Sequence, residues 1–530
     1  MKQILNIFRK DLRRFWYEIA VSLALLATYS SNDVRGWAGE RNIAASGGGI
    51  AALFGYQVLS GLVAVLLPIA WAFLIVRVVQ QEALVGDRQF WITRPYEWKK
   101  LLAAKVLFVA FTINVPLLFA DVVLLAKAGF PPAHYVIGLL WMQVLIALIL
   151  ILPIATLATV TASVVQMILA ILVVALYMIC IAWLASVIPS SSFSGPVDSL
   201  EFALLIATCL AVILWQYARR KTATSRWMIA GLALAVALIV AATPYDAIVN
   251  HEFPRIRPGD PLPVQLALLP ADSSQAAEDP GKEKEVVIQI PLGTAGMAED
   301  SIVVLSGVKV SLEAPNGLRW NSGWVSYGQT ELFPDQWGTQ VSFSLKKAFF
   351  DRVKSDSVKA RISLALAEYR DKNRRDFATP RGEFQMSDVG VCSADTAYDR
   401  EIHCRAPLRT PSSMLITSDL STTTCPAREG ESRAENREIV RNWYQNFDSG
   451  PADFGISSVK NFGVYLWDRN ERARRMIAGI CPGTPLLISN PEFVRRIGTD
   501  LEINSLRLAD YRLRQFSTGA DGFDFGFVVR

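Results

Sequence analysis

Residues 219–245 read RRKTATSRWMIAGLALAVALIVAATPY, and the chain changes character across them. A short basic turn (Arg219, Arg220, Lys221, Arg226) is followed by an apolar run, 227–242, which is the last of its kind. Upstream lie six more apolar stretches, at 15–29, 53–76, 101–126, 135–157, 162–187 and 200–217. Each meets or approaches the ~20 residues that a helix needs to cross ~30 Å of hydrocarbon. Only helices and closed barrels satisfy their own backbone in lipid, so this half is expected to be a helical bundle with about seven crossings. Downstream, residues 246–530 have ordinary water-soluble composition.

Charge orients the expected bundle. Up to Tyr245 there are 18 Lys and Arg against 10 Asp and Glu, a net +8, and the remainder carries 35 against 38. The cations cluster at Lys2, Arg9, Lys10, Arg13 and Arg14; at Arg77, Arg88, Arg94, Lys99, Lys100 and Lys105; and at Arg219, Arg220, Lys221 and Arg226. Only Arg35, Arg41 and Lys127 fall elsewhere. The clusters alternate with the apolar stretches as the positive-inside rule requires, with a cytoplasmic N-terminus. Seven crossings would then leave 246–530 outside the cytoplasm. The overall +5 is a topology signal and not the footprint of a nucleic-acid partner.

The N-terminus imitates a signal peptide, but its charged run is long, Glu18 enters the apolar stretch and no A-x-A site follows. Residues 4–15 are amphipathic instead, with Ile4, Leu5, Ile7, Phe8 and Leu12 opposed to Arg9, Lys10 and Arg13. Such a helix is expected in the headgroup plane, with Trp16 and Tyr17 as an aromatic anchor.

The stretch 81–105, QEALVGDRQFWITRPYEWKKLLAAK, is longer than a helix connection needs. It mixes Glu82, Asp87, Arg88, Arg94 and Glu97 with Phe90, Trp91, Ile92, Tyr96 and Trp98. A short amphipathic helix stopped by Pro95 fits this pattern. Exposed aromatics with arginine suit a protein-docking surface as well as a membrane interface.

The pattern D-R-x-F-W-I-T-R-P followed by K-K-L-L-x-x-K resembles permease subunits of ABC-2 type transporters. The likeness covers roughly residues 1–220. It implies that 1–15 is an elbow helix and that the loop is a coupling element docking a separate cytoplasmic ABC ATPase. Its implied contact residues are Glu82, Asp87, Arg88, Trp91, Arg94, Pro95 and Lys105. A homodimer, or pairing with a second permease, is implied too. ATP and Mg would be bound by the partner ATPase, since no G-x-x-x-x-G-K-[ST] loop occurs; Pro280-Gly281-Lys282-Glu283 lacks the first glycine and the hydroxyl. The chain departs from the six-span family pattern by its extra apolar run at 227–242 and its large external half.

Within the apolar stretches, Gln57, Asn114, Asp121 and Gln143 are candidate pathway or helix-packing residues. Pro116 and Pro153 are expected to bend their helices. Beyond a Pro- and charge-rich linker at 246–284, short alternating runs at 286–290, 302–312, 340–345, 360–365, 414–417, 463–466, 486–488, 501–508 and 523–529 predict strands. Helical interruptions are predicted at 346–353, 433–446 and 491–497. One or two β-sandwich units follow, with a division near 407–412. Cys392, Cys404, Cys425 and Cys481 lie in this half, and two disulfides are expected, Cys392–Cys404 being favoured on proximity. With three histidines and no C-x-x-C, H-E-x-x-H or G-x-S-x-G, no metal or catalytic constellation emerges. The expected chain is a non-catalytic, inner-membrane permease exporting a hydrophobic or amphipathic substrate. The competing reading is an anchored interaction or sensory protein whose external domain binds an extracytoplasmic partner.

Overall fold

The computed structural model describes residues 2–37, 49–81, 97–187, 195–256, 264–270, 285–298, 300–332, 339–371, 375–378, 383–386, 389–393, 401–410, 413–419, 439–445, 456–465, 485–489 and 491–512. The N-terminal half is helical: α1 (Lys2–Arg14), α2 (Trp16–Gly36), α3 (Gly49–Gln80), α4 (Trp98–Lys127), α5 (Pro132–Val160), α6 (Val164–Val187), α7 (Gly195–Arg219) and α8 (Thr222–Ala242). Six of these, α3 to α8, contain spans long and apolar enough to cross a membrane, one fewer than the seven expected. The shortfall is α2. It is a 21-residue helix, but Glu18, Asn32, Asp33 and Arg35 leave it too polar at its ends to qualify.

Two helices are interrupted by one wide turn each, at Ala110–Asn114 in α4 and Ala147–Ile151 in α5. Both turns lie just before a proline, Pro116 or Pro153. The proline ring lacks an N–H and crowds the carbonyl four residues back, and a widened turn relieves that crowding. Hydroxyls in the helices bond to the carbonyl four residues back, Thr112 to Phe108 at 2.8 Å and Thr156 to Leu152 at 2.8 Å, so they cost little in an apolar setting. The bundle core gathers Phe15, Leu67, Trp71, Leu74, Ile75, Phe108, Ile113 and Leu117.

The β half holds two sandwiches, one inserted into the other. In the first, sheet β15-β6-β3-β4 and sheet β1-β2-β5 share one core. Its strands are β1 (Gln265–Leu268), β2 (Glu285–Ala295), β3 (Ser301–Glu313), β4 (Arg319–Leu332), β5 (Thr339–Lys346), β6 (Ser357–Arg370) and β15 (Glu492–Arg507). Alternation explains the layering. Val286, Ile288, Ile290 and Leu292 of β2 point to the core and their neighbours outward. β6 alternates at its start and is buried on both faces later, because Val249 of helix α9 (Tyr245–Glu252) and Phe253 just after it cover Ala365. Within the expected linker, then, the described residues form a helix and strand β1.

β6 and β15 are hydrogen-bonded neighbours, with Glu492 opposite Arg370. The segment between them builds the second sandwich: β7 (Arg375–Ala378), β8 (Glu383–Met386), β9 (Gly390–Ser393), β10 (Glu401–Pro407), β11 (Ser413–Asp419), β12 (Ile439–Gln445), β13 (Val459–Tyr465) and β14 (Pro485–Ser489). Its sheets, β13-β10-β9-β8 and β12-β11-β14-β7, share the core of Met386, Cys392, Ile402, Cys404, Met414, Phe462 and Ile488. The division expected near 407–412 falls instead within this second sandwich, between β10 and β11, whose residues share one core.

The chain divides into two compact units, one comprising Met1–Met178, Leu200–Val236 and Arg375–Asn490, the other Ile179–Ser199, Ala237–Arg374 and Pro491–Arg530. The inserted sandwich thus belongs with the helix bundle. Two predicted helices are corrected: 491–497 is the start of strand β15, and 439–445 is strand β12. Ladder pairing with β6 and β11 overrides their local helical character. The predicted helix at 346–353 appears as α10 (Lys347–Val353), with Phe350 and Val353 in the core. The strand expected at 523–529 lies outside the described residues.

Candidate functional site

The polar residues within the apolar helices do not stand apart. Asn114 Nδ2, at the end of the wide turn in α4, donates to Gln143 Oε1 of α5 at 3.2 Å. Gln143 Nε2 donates in turn to Asp121 Oδ2 at 3.2 Å. Asp121 is fully buried. Its other oxygen, Oδ1, accepts the backbone N–H of Ser458 at 3.1 Å, and its backbone carbonyl accepts Ser458 Oγ at 2.9 Å. Three of the four sequence-nominated polar residues therefore form one chain, and it ends on the inserted sandwich. The fourth, Gln57, lies on α3, and its side chain falls outside the described residues.

The contact around Asp121 is a built interface. Ser457 Oγ donates to Asp33 Oδ2 at 2.7 Å, at the end of α2. Val459 packs with Leu124, Leu125 and Leu139 of α4 and α5 and with Ala128 and Phe130 in the turn between them, and Ile456 enters the bundle core. Leu408, in the left-handed region at φ 65°, donates its N–H to Ser458 O at 2.7 Å and lies against Gly138. A Cβ at Gly138 would sit 2.2 Å from Leu408 Cδ1, so the absent side chain is what admits the leucine. The Arg405 guanidinium stands over the Trp37 ring at 5.4 Å. Behind this face, Cys392 and Cys404 form a disulfide between facing positions of β9 and β10, and Cys404 faces Phe462 on β13. The favoured pairing is thus present. Cys425 and Cys481 lie outside the described residues.

At the other end of α4 the sequence placed the docking loop. Glu82, Asp87, Arg88, Trp91, Arg94 and Pro95 lie outside the described residues; Lys105 and the roots of the loop do not. Lys105 Nζ is buried and bonds Asp11 Oδ2 of α1 at 2.9 Å, with the two side chains 3 % and 0 % exposed. The Gln81 amide, oriented with its nitrogen toward Asp11, lies 3.3 Å from Asp11 Oδ1 and takes an N–H from Arg14 at 3.1 Å. One carboxylate therefore joins α1, the end of α3 and the start of α4. This geometry packs one face of α1 against the bundle. Ile7 and Asp11 face inward, and Phe8 packs edge-on against Phe108 and Phe111, while Leu5 stays exposed. At the outer root, Lys100 Nζ lies 2.8 Å from Glu97 Oε1 and holds that exposed carboxyl below the usual carboxylate range. Arg226, in the first turns of α8, donates to Val160 O at 3.1 Å and caps α5.

Sequence reasoning missed Asp11, Asp33, Ser457, Ser458 and Gly138. An aspartate on the inner face of an otherwise amphipathic helix was a visible signal. The serines had none, since their partners lie hundreds of positions away. Among the described residues no group of three His, Cys, Asp or Glu side chains is placed to hold a metal ion. No known protein family, no characterised protein and no solved structure matches the chain.

Proposed function

We propose that this chain is the membrane subunit of an ABC-2-like transporter, coupling a separate cytoplasmic ATPase to export of a hydrophobic or amphipathic substrate. The observation that carries the reading is the buried junction at the loop roots. Asp11, Gln81 and Lys105 fasten α1, α3 and α4 together at the point where the 82–96 loop leaves and returns. A force applied to that loop reaches two spans and the elbow helix at once. The chain itself is non-catalytic in this reading. ATP and Mg belong to the partner, and a second permease copy completes the bundle.

The proposed orientation sets the N-terminus in the cytoplasm and the β half outside an inner membrane. It is supported by the opposed ends of α4, one rooted among Lys99, Lys100 and Lys105, the other meeting the inserted sandwich at Asp121. In this reading α2 is a seventh crossing despite its polar ends. Phe15, just before it, packs near Phe108, and its far end reaches Ser457 at Asp33, 18 positions or ~27 Å later.

Co-purification tests the reading. A tagged chain, gently extracted from its host, should retain a nucleotide-binding ATPase by mass spectrometry and lose it when Arg94 and Pro95 are replaced. A second reading, an anchored sensory or interaction protein, is favoured by the seating of the inserted sandwich on Asp121. Recovery of an extracytoplasmic partner without any ATPase would select it.

A further inference from the structure

We infer that Asn114, Gln143 and Asp121 form a relay that communicates the seating of the inserted sandwich to the two wide turns of α4 and α5. The inference stands under either functional reading, because it concerns how the inserted sandwich meets α4 and α5 within one compact unit.

The argument starts from the two oxygens of Asp121, which serve different clients. Oδ1 holds the Ser458 N–H of the sandwich, and Oδ2 holds the Gln143 amide of α5. A carboxylate with no water access cannot leave either donor without turning toward the other. If the sandwich lifts and Ser458 withdraws, Asp121 is left with Gln143 as its described side-chain donor. Any rotation of the Gln143 amide moves Oε1, the acceptor of Asn114 Nδ2.

The far end of this chain is mechanically distinct. Asn114 is the last residue of the wide turn Ala110–Asn114, and Gln143 precedes the second wide turn, Ala147–Ile151, by four positions. A widened turn holds one residue more than the α-helix requires, and closing it rotates everything beyond. The chain thus links the outer contact to the two places where α4 and α5 change register most readily. Position between two sites is not itself coupling, so the inference needs a perturbation at one end and a readout at the other.

Hydrogen–deuterium exchange on the full chain in lipid nanodiscs supplies that test. Asn114→Leu removes the member of the chain farthest from Ser458. It should raise exchange at the Ser457–Val459 amides by on the order of tenfold, as partial loss of seating would. Thr112→Val lies in the same turn with its hydroxyl bonded to Phe108 O, and should leave those amides unchanged. In reverse, Ser458→Pro, which removes the backbone N–H held by Asp121 Oδ1, should raise exchange in Ala110–Asn114 and Ala147–Ile151, since coupling is reciprocal. If Asn114→Leu does not fold, Asn114→Ala carries the same expectation. Unchanged Ser457–Val459 exchange in the Asn114 variant, alongside a rise in Gln143→Leu, would reduce the chain to a local clamp and overturn the relay. An equal rise in Thr112→Val would overturn it as well, by showing general loosening of the turn.

Discussion

The Asp11–Lys105 pair allows the sharpest test of the loop-root junction. Both side chains are at most 3 % exposed, so neither charge is screened by water or salt. Replacing Lys105 by Met keeps the stem volume and removes the charge, leaving Asp11 buried with only Gln81 to donate to it among the partners described here. Breaking a buried pair in this way costs about 3–5 kcal/mol, because the remaining charge has lost its compensation. Asp11→Leu should cost a similar amount by removing the buried carboxylate that compensates the Lys105 ammonium. The double variant Asp11→Leu with Lys105→Met should recover most of the loss, since apolar replacements of buried pairs are often neutral. The three variants and the parent make a cycle whose coupling energy should reach ~2 kcal/mol or more. Denaturant titration of the detergent-solubilised chain, followed by intrinsic tryptophan fluorescence, reads it. The loss should be insensitive to salt between low and high ionic strength. A coupling below ~1 kcal/mol, falling further with salt, is the behaviour of a surface pair and would refute the buried junction.

Two further outcomes follow from the β half. Cys392→Ser with Cys404→Ser should destabilise the inserted sandwich by about 2–4 kcal/mol, visible as a lower, dithiothreitol-insensitive melting transition. Gly498→Ala should loosen α9 from the first sandwich, because a Cβ there would lie 2.6 Å from Phe253 O and displace the backbone bonds of Gly498 with Pro254 and Ile256. A cost of about 1–3 kcal/mol, with faster amide exchange at 253–256, is expected.

Much of this architecture was legible. Apolar length marked α3 to α8, and alternation marked β2, β3, β5 and β6, because both signals are local. The Cys392–Cys404 pair was legible from its short separation. Three polar residues of the candidate site could be named because a polar group in an apolar run is conspicuous anywhere. Their shared chain could not, since it depends on how α4 and α5 are rotated against each other. The insertion of one sandwich into another was illegible for a different reason. β6 and β15 pair as if joined by a tight turn, and nothing local to either strand says that a whole sandwich replaces that turn. The expectation of a helix at 491–497 fails in the same way. The register with β6 decides otherwise.

Uneven burial along the helices gives a last prediction that bears on assembly. Leu67, Trp71, Leu74 and Ile75 of α3 are at most 1 % exposed, whereas Val165, Leu169, Leu172 and Leu176 of α6 are all more than half exposed. Truncating a buried leucine leaves a cavity and costs about 2–5 kcal/mol. A side chain that faces lipid in both folded and unfolded states loses no such contact, because the solvent is as apolar as the side chain. Alanine substitution at Leu67 or Leu74 should therefore cut folded yield severely, while Leu169→Ala, Leu172→Ala and Leu176→Ala should each stay within about 0.5 kcal/mol of the parent. Fluorescence-detected size exclusion of the variants measures both. Losses at the α6 positions equal to those in α3 would contradict lipid exposure of that face. A shift to smaller particles in the same variants would then assign the cover to a second copy of the chain.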